Sequence, residues 1–357
     1  MKTLLKISFF ATVVFTAVVA YAYYNSNIEP KVWQPSANKG LTGDFAQNNK
    51  LAIAERMVEG VGVGPEDVAK GNDGWFYTGF HDGRIIRFNE TGRHEEFVNT
   101  GGRPLGLQFD KQGNLIVADS YKGLISIAKD KTITVLVDSV DGKKMTFVDD
   151  LDIAEDGTIW FSDATMRHYQ ETYIYDLIEA RPTGRLLSYS PATGETTVHM
   201  NKLFFANGVA LGPNDEFVLI NETGASQIHR LWLKGEKQGM RDVFISGLPA
   251  MPDNLSFNGS DTFWVALPAL RVPDLEGLSG DTFTRRILGA LPPSILNALG
   301  GSYGMFIGLD LDGNVKYNLQ DSSGKYAVVT SVNEYGGKLY LGSIKMDAVA
   351  TLAAPRE

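Results

Sequence analysis

A chain of 357 residues, 43% hydrophobic and 21% charged, has ordinary globular composition and ample material for one large domain or two smaller ones. Its formal net charge of −9, without any basic run or patch, argues against nucleic acid as a partner. The absence of cysteine excludes a disulfide framework, a thiol nucleophile and a zinc–thiolate centre.

In chain order, Lys2 and Lys6 precede an apolar run of 18 residues over 7–24, within the roughly 17–25 residues of a membrane-spanning helix. Ala20, Tyr21 and Ala22 also form a small-x-small cleavage pattern. Two alternatives stand for residues 1–24, an uncleaved signal anchor and a removed signal peptide. Tyr23 and Tyr24 suit an interfacial aromatic belt, which favours the anchor. The positive-inside rule then leaves a short cytoplasmic end and an extracytoplasmic body, periplasmic or lumenal, or a secreted one if the leader is cleaved. Residues 25–50, rich in Asn, Ser, Gly, Pro and Lys, read as a linker.

From residue 51 onward short strands dominate. The strongest lie at 75–78, 115–118, 158–162, 216–220, 262–266 and 338–341, each bounded by turn residues. Alternating apolar residues precede them, as in Leu107/Phe109, Leu151/Ile153, Val209/Leu211 and Leu255/Phe257. Most are followed by two more strands: 84–88 and 96–99, 124–128 and 133–137, 185–189 and 196–199, 228–233 and 242–245. Four short strands repeated at roughly 40–60 residues predict an all-β, six-bladed β-propeller over 51–357. Residues 52–58 would supply the outer strand of the last blade, and ring closure removes exposed sheet edges. Two insertions with helical patterning, 169–183 and 268–304, break the rhythm. They would either pack against the propeller flank or cover its pocket and touch the membrane.

The turn positions ahead of the strongest strands are Gly74, Gly113, Gly157, Asp215, Asp261 and Gly337. Eight residues before each stand Glu66, Leu105, Asp149, Asn207, Asp253 and Val329. A constant offset makes the six addresses spatially equivalent near one mouth of a central channel. Glu66, Asp149, Asn207 and Asp253 would form a ring of oxygen donors, the ligand type of a hard cation. Calcium, with its flexible sphere of about six to eight oxygens, suits this set better than magnesium, although another divalent cation would use the same ligands. No histidine occupies an address, which argues against zinc or copper. The alternative is that each side chain only caps a turn. Three carboxylates around one axis, however, repel without a cation or bound protons.

A divalent cation polarises a carbonyl and lowers the pKa of a bound water, chemistry suited to lactone or ester hydrolysis. Asp253 is the candidate for a dual role as ligand and base. Asp67, Asp150 and Asn254 each follow a proposed ligand and are candidates for support around it. Arg167 and His168 would either point into the pocket mouth or lie in a solvated loop, the latter being favoured. No G-x-S-x-G elbow supports a serine hydrolase.

Several stretches resemble the strictosidine synthase-like family within the calcium-dependent lactonase group of paraoxonases, gluconolactonases and regucalcin. They are Gly64-Pro65-Glu66-Asp67, Gly102-Arg103-Pro104-Leu105-Gly106-Leu107, Asp150-Leu151 with Trp160-Phe161-Ser162-Asp163, Gly184-Arg185-Leu186-Leu187, Asn207-Gly208-Val209-Ala210-Leu211, Pro252-Asp253-Asn254 and Leu339-Tyr340-Leu341-Gly342-Ser343. The resemblance is strongest to members with an N-terminal membrane anchor ahead of a six-bladed propeller and an associated arylesterase activity. It implies metal ligation by Glu66, Asn207 and Asp253, with Asp149 where the family usually has asparagine. The glutamate of plant strictosidine synthases falls near Thr330 here, and the catalytic histidine of paraoxonases falls at Leu105. The expectation is therefore a membrane-tethered, calcium-dependent lactonase or arylesterase acting on a small-molecule lactone or ester. The alternatives are a strictosidine synthase-like C–N lyase and a non-catalytic binding propeller stabilised by its ion.

Overall fold

The computed structural model describes residues 2–298 and 301–356. Its chain divides into two compact units.

The larger unit comprises residues 36–170, 182–271 and 301–357 and contains six four-stranded antiparallel sheets. Blade 1 runs through Ala69–Lys70, Phe76–Gly79, Arg84–Phe88 and His94–Asn99. Blade 2 is Pro104–Phe109, Leu115–Asp119, Gly123–Ile127 and Ile133–Val137. Blade 3 is Val148–Ile153, Ile159–Asp163, Gly184–Tyr189 and Thr196–Leu203. Blade 4 is Ala206–Leu211, Phe217–Glu222, Gln227–Trp232 and Arg241–Ser246. Blade 5 is Leu255–Phe257, Phe263–Ala266, Gly304–Leu309 and Val315–Asp321, its halves separated by the insertion expected at 268–304. Blade 6 is Val329–Tyr335, Lys338–Ser343 and Val349–Ala353, completed by Glu55–Met57. Glu55 pairs with Thr351 and Met57 with Val349, so the N-terminal strand closes the ring as its sequence position predicts.

The turn positions explain the constant spacing. Gly74, Gly113, Gly157 and Gly337 have φ between 77° and 89°, and Asp215 has φ 52°, all left-handed conformations that fix the hairpin register. In blade 5 the left-handed residue is Gly259 rather than Asp261. The core lies between blades. Ile116 and Ala118 meet Leu151 and Phe161, while Leu219 and Phe217 meet Leu255 and Phe263. Each such aromatic or aliphatic side chain contributes roughly 1.5–3 kcal/mol by leaving water.

Residues 36–50 are not a free linker. Phe45 is buried in the same core cluster as Phe244 and Phe263, and its carbonyl accepts from Gln320 Nε2 at 3.0 Å. Polar composition hid this anchor, because one buried aromatic suffices to hold the segment down.

The smaller unit comprises residues 1–35, 171–181 and 272–300. It contains α1 (Lys2–Tyr24), α2 (Tyr173–Glu179), α3 (Pro273–Gly277), α4 (Thr282–Leu288) and α5 (Pro293–Ala298). Ile28, Tyr175, Ile178 and Leu296 form its core. Arg285 is buried, donating to the Ile178 carbonyl at 2.9 Å, with its guanidinium 4.6 Å from the Trp33 ring centroid. Among the described residues no helix is long and apolar enough to cross a membrane. Part of the expected anchor, the side chains of residues 1–9 and 11, lies outside the described residues.

Candidate functional site

The ring addresses are built by irregularities in the innermost strands. Where Val148–Ile153 pairs with Ile159–Asp163, the register shifts between Val148 and Leu151. Equivalent shifts fall between Ala206 and Val209, Pro104 and Leu107, and Val329 and Ser331. Asp149, Asn207 and Leu105 therefore sit in β-bulges, which re-aim a side chain out of the regular alternation. Glu66 and Asp253 precede the short inner strands of blades 1 and 5, and their N–H groups donate to Gly79 O at 3.2 Å and Ala266 O at 2.9 Å. The second bulge residue of blade 4 is Gly208, where any Cβ would collide with the Asp253 carbonyl of the next blade.

Neighbouring addresses are wired together around the axis. Gly208 N donates to Asp253 O at 3.1 Å, Asn254 N to Thr330 O at 3.0 Å, and Thr330 Oγ1 to Glu66 O at 2.8 Å. Glu66, Asp149 and Asn207 are 2%, 2% and 3% exposed, while Asp253 keeps partial access to the surface. Val329 and Leu105 are buried and apolar.

The four polar addresses converge electrostatically. Burial pushes the Glu66 carboxyl up to about 7, with Arg103 opposing the rise. Asp149 is raised well above the ordinary range by burial and then by the carboxylates of Asp253 and Glu66. Asp253 is raised well above it by burial and then by Glu66, and a hydrogen bond with Asn207 pulls the other way. Glu66 thus makes both Asp149 and Asp253 harder to ionise, and Asp253 adds to the effect on Asp149, as expected of a site short of positive charge.

Arg103, absent from the address count, supplies the nearest cation. Its Nη2 lies 3.0 Å from Glu66 Oε2, with side-chain exposures of 1% and 3%. Among the described residues no group of three or more His, Asp or Glu side chains is drawn together as a ready-made metal cluster. On this side of the ring Glu66 is instead held by Arg103.

Asp67 and Asp150 are latches between blades. Asp67 Oδ2 accepts from Leu107 N at 2.9 Å, and its Oδ1 accepts from Asn333 Nδ2 at 2.7 Å. Asp150 Oδ2 accepts from Val209 N at 2.9 Å, and Asp152 Oδ2 from Leu211 N at 2.7 Å. These residues line a central cavity of about 160 Å³, together with Asn254 and Glu334. Glu334 is itself engaged there, accepting from Trp264 Nε1 at 2.9 Å and Asn258 Nδ2 at 3.2 Å.

A second set of carboxylates holds the chain entering each inner strand. Asp119 Oδ1 accepts from Arg103 N at 3.0 Å, Asp163 Oδ1 from Phe147 N at 3.3 Å, and Glu222 Oε1 from Phe204 N at 2.8 Å. All three end the second strand of their blades, a positional signal available in the sequence. His168 is buried at 7% exposure rather than solvated, whereas Arg167 is exposed.

The donor chemistry of this set is of the kind a divalent cation takes. Asn207 Oδ1, Asn221 Oδ1 and both amide atoms of Asn254 are buried without a partner. Asn221 Nδ2 donates to the Asp253 carbonyl, which brings its amide to the same ring. Orphaned amide oxygens beside crowded carboxylates are the environment a hard cation satisfies.

The strictosidine synthase family model matches residues 149–236, and the strictosidine synthase-like N-terminal model matches residues 43–88. Adipocyte plasma membrane-associated protein of Danio rerio is 33% identical over 343 residues, covering 90% of this chain and 82% of that protein. Protein strictosidine synthase-like 6 of Arabidopsis thaliana is 34% identical over 316 residues, covering 82% and 81%. Among solved structures, a gluconolactonase from Xanthomonas campestris superposes with TM-score 0.63 at 15% identity, covering 92% of this chain and 97% of that one. The calcium-binding protein regucalcin from Agrobacterium tumefaciens does so with TM-score 0.58 at 12% identity, covering 85% and 94%. At those identities the two structures share the propeller fold. The curated relatives carry the assignment: this chain belongs to the strictosidine synthase-like family that includes the adipocyte plasma membrane-associated proteins.

Proposed function

We propose that the protein is a metal-dependent hydrolase of lactones or aryl esters, with calcium as the cation. Glu66, Asp149, Asn207 and Asp253 would hold the ion, and Asn221 and Asn254 offer further amide oxygens. When bound, the ion would polarise the substrate carbonyl and acidify water. The observation that carries the reading is that burial raises all three carboxylates, that Glu66 further raises Asp149 and Asp253, and that the Asn207 oxygen beside Asp253 has no partner. A gluconolactonase and a calcium-binding regucalcin among the structural neighbours are consistent with it.

The residues divide the work by position. Asp253 alone among the four keeps partial exposure, so it meets an entering substrate and accepts a proton from the attacking water. Asn207 bonds the Asp253 side chain and fixes its orientation. Asp149, in its bulge, adds a negative charge where an asparagine would be neutral. The resemblance puts the synthase glutamate near Thr330, which here donates to the Glu66 carbonyl; without an acid at that place amine–aldehyde condensation is disfavoured. The test is turnover of an aryl ester and lactone panel, with and without chelator, by wild type, Asp253→Ala and Glu66→Ala. Undiminished wild-type turnover after complete chelation rejects the metal mechanism.

We also infer membrane association through the N-terminal segment, as the name of the adipocyte relatives suggests for them. Carbonate-resistant sedimentation of the full chain, lost on deleting residues 1–24, is the expected result. Release of the full chain by carbonate would argue against it.

A further inference from the structure

Blade 2 presents Leu105 at its ring address, yet it still sends a charged group to the ring. Arg103, two residues earlier, donates from Nη2 to Glu66 Oε2 at 3.0 Å. Its Nη1 faces the carbonyls of Pro104 at 3.2 Å and Gly79 at 3.4 Å. Its Nε is buried and has no partner. The backbone beneath it is fixed, because Asp119 accepts from Arg103 N at 3.0 Å while holding Thr100 Oγ1 at 2.7 Å and Tyr121 N at 3.0 Å. The acidic groups acting on the guanidinium are, in order, Glu66, Asp149, Tyr121 and Asp119. A side chain this buried, with an unsatisfied N–H, is an expensive way to brace two carbonyls. Its charge is matched instead to the carboxylates of the ring.

We propose that Arg103 is the resident counter-charge of the carboxylate ring, pairing Glu66 when no cation is present and surrendering it when a divalent cation binds. The proposal rests on the cation reading of the ring. Two consequences follow from electrostatics. The cation must compete with a guanidinium for Glu66, so Arg103 weakens its affinity. Without the cation, Arg103 is what keeps three crowded carboxylates tolerable, so it stabilises the empty protein.

The experiment is calcium titration of the purified full chain by calorimetry, paired with melting in chelator and in saturating calcium. Arg103→Met keeps length and apolar stem but removes the charge. The expected result is calcium affinity at least tenfold tighter than wild type, a lower melting temperature in chelator, and a larger upward shift on adding calcium. If wild type and variant both bind calcium with equal affinity, or the variant binds more weakly, the inference is overturned while the cation reading stands. If neither binds, the cation reading fails and takes the inference with it. Should Arg103→Met not fold even with calcium, Arg103→Gln decides. Glutamine removes the charge but keeps an N–H donor for the two carbonyls, so affinity at least threefold tighter supports the proposal, and unchanged or weaker affinity overturns it.

Discussion

Thr330 Oγ1 donates to the carbonyl oxygen of Glu66 at 2.8 Å, joining the last blade's inner strand to the first blade's ring residue. One hydrogen bond thus serves closure of the propeller and placement of the candidate site. Thr330 is fully buried. Thr330→Val keeps shape and loses the donor, so it should cost about 1–3 kcal/mol of stability by leaving a buried carbonyl less satisfied. Urea unfolding measures this, and calcium titration of the same variant should show weaker binding. An unchanged midpoint and unchanged affinity would separate closure from the site.

Asp150 is a latch in this structure, bonded to Val209 N at 2.9 Å and Leu151 N at 2.9 Å. Asp150→Ala strands both donors in the interior, a loss of about 2–4 kcal/mol from two unmet hydrogen bonds. Asp150→Asn retains one acceptor oxygen and should recover about half of that loss. Denaturant midpoints of the two variants distinguish the latch from a purely electrostatic role, under which both substitutions would relieve repulsion and stabilise the protein.

The ring also predicts a pH dependence. Burial raises Glu66 from an ordinary 4.5 to about 7 in the folded, cation-free protein. The folded state therefore holds this proton more tightly than the unfolded chain. The resulting stability is present in full below about pH 4.5 and is lost as pH climbs through about 7. Asp149 and Asp253 are raised too and act in the same direction. Melting in chelator should decline across this window, whereas saturating calcium should remove the decline. Glu66→Gln should flatten the chelator curve, and an identical slope in wild type and variant would refute the assignment.

Asp253→Asn keeps an oxygen donor but removes the charge and the proton acceptor. Turnover of the best ester substrate should fall by roughly 10²–10⁴ in kcat, the usual scale for loss of a general base. Calcium affinity should fall far less than in Asp253→Ala. Equal loss of metal and turnover in both variants would reduce Asp253 to a ligand alone.

The blades were legible in the sequence because hairpin turns demand left-handed residues, and glycine marks them in the text. The same turns set the address count, since Gly74, Gly113, Gly157 and Gly337 count back to equivalent places at the innermost strands. The bulges were not legible: an extra residue at Asp149–Asp150 or Asn207–Gly208 is a property of pairing, invisible in one strand alone. Arg103 escaped because its long side chain reaches the ring from two positions before the address at Leu105. Phe45 was obscured by polar neighbours that disguised a packed segment as a linker.

The most direct test is an anomalous-scattering map from crystals grown with calcium and again with chelator. One calcium-dependent peak is expected, about 2.3–2.6 Å from oxygens of Glu66, Asp149, Asn207 and Asp253. Density at that point in neither crystal, with Arg103 still paired to Glu66 at saturating calcium, would contradict it.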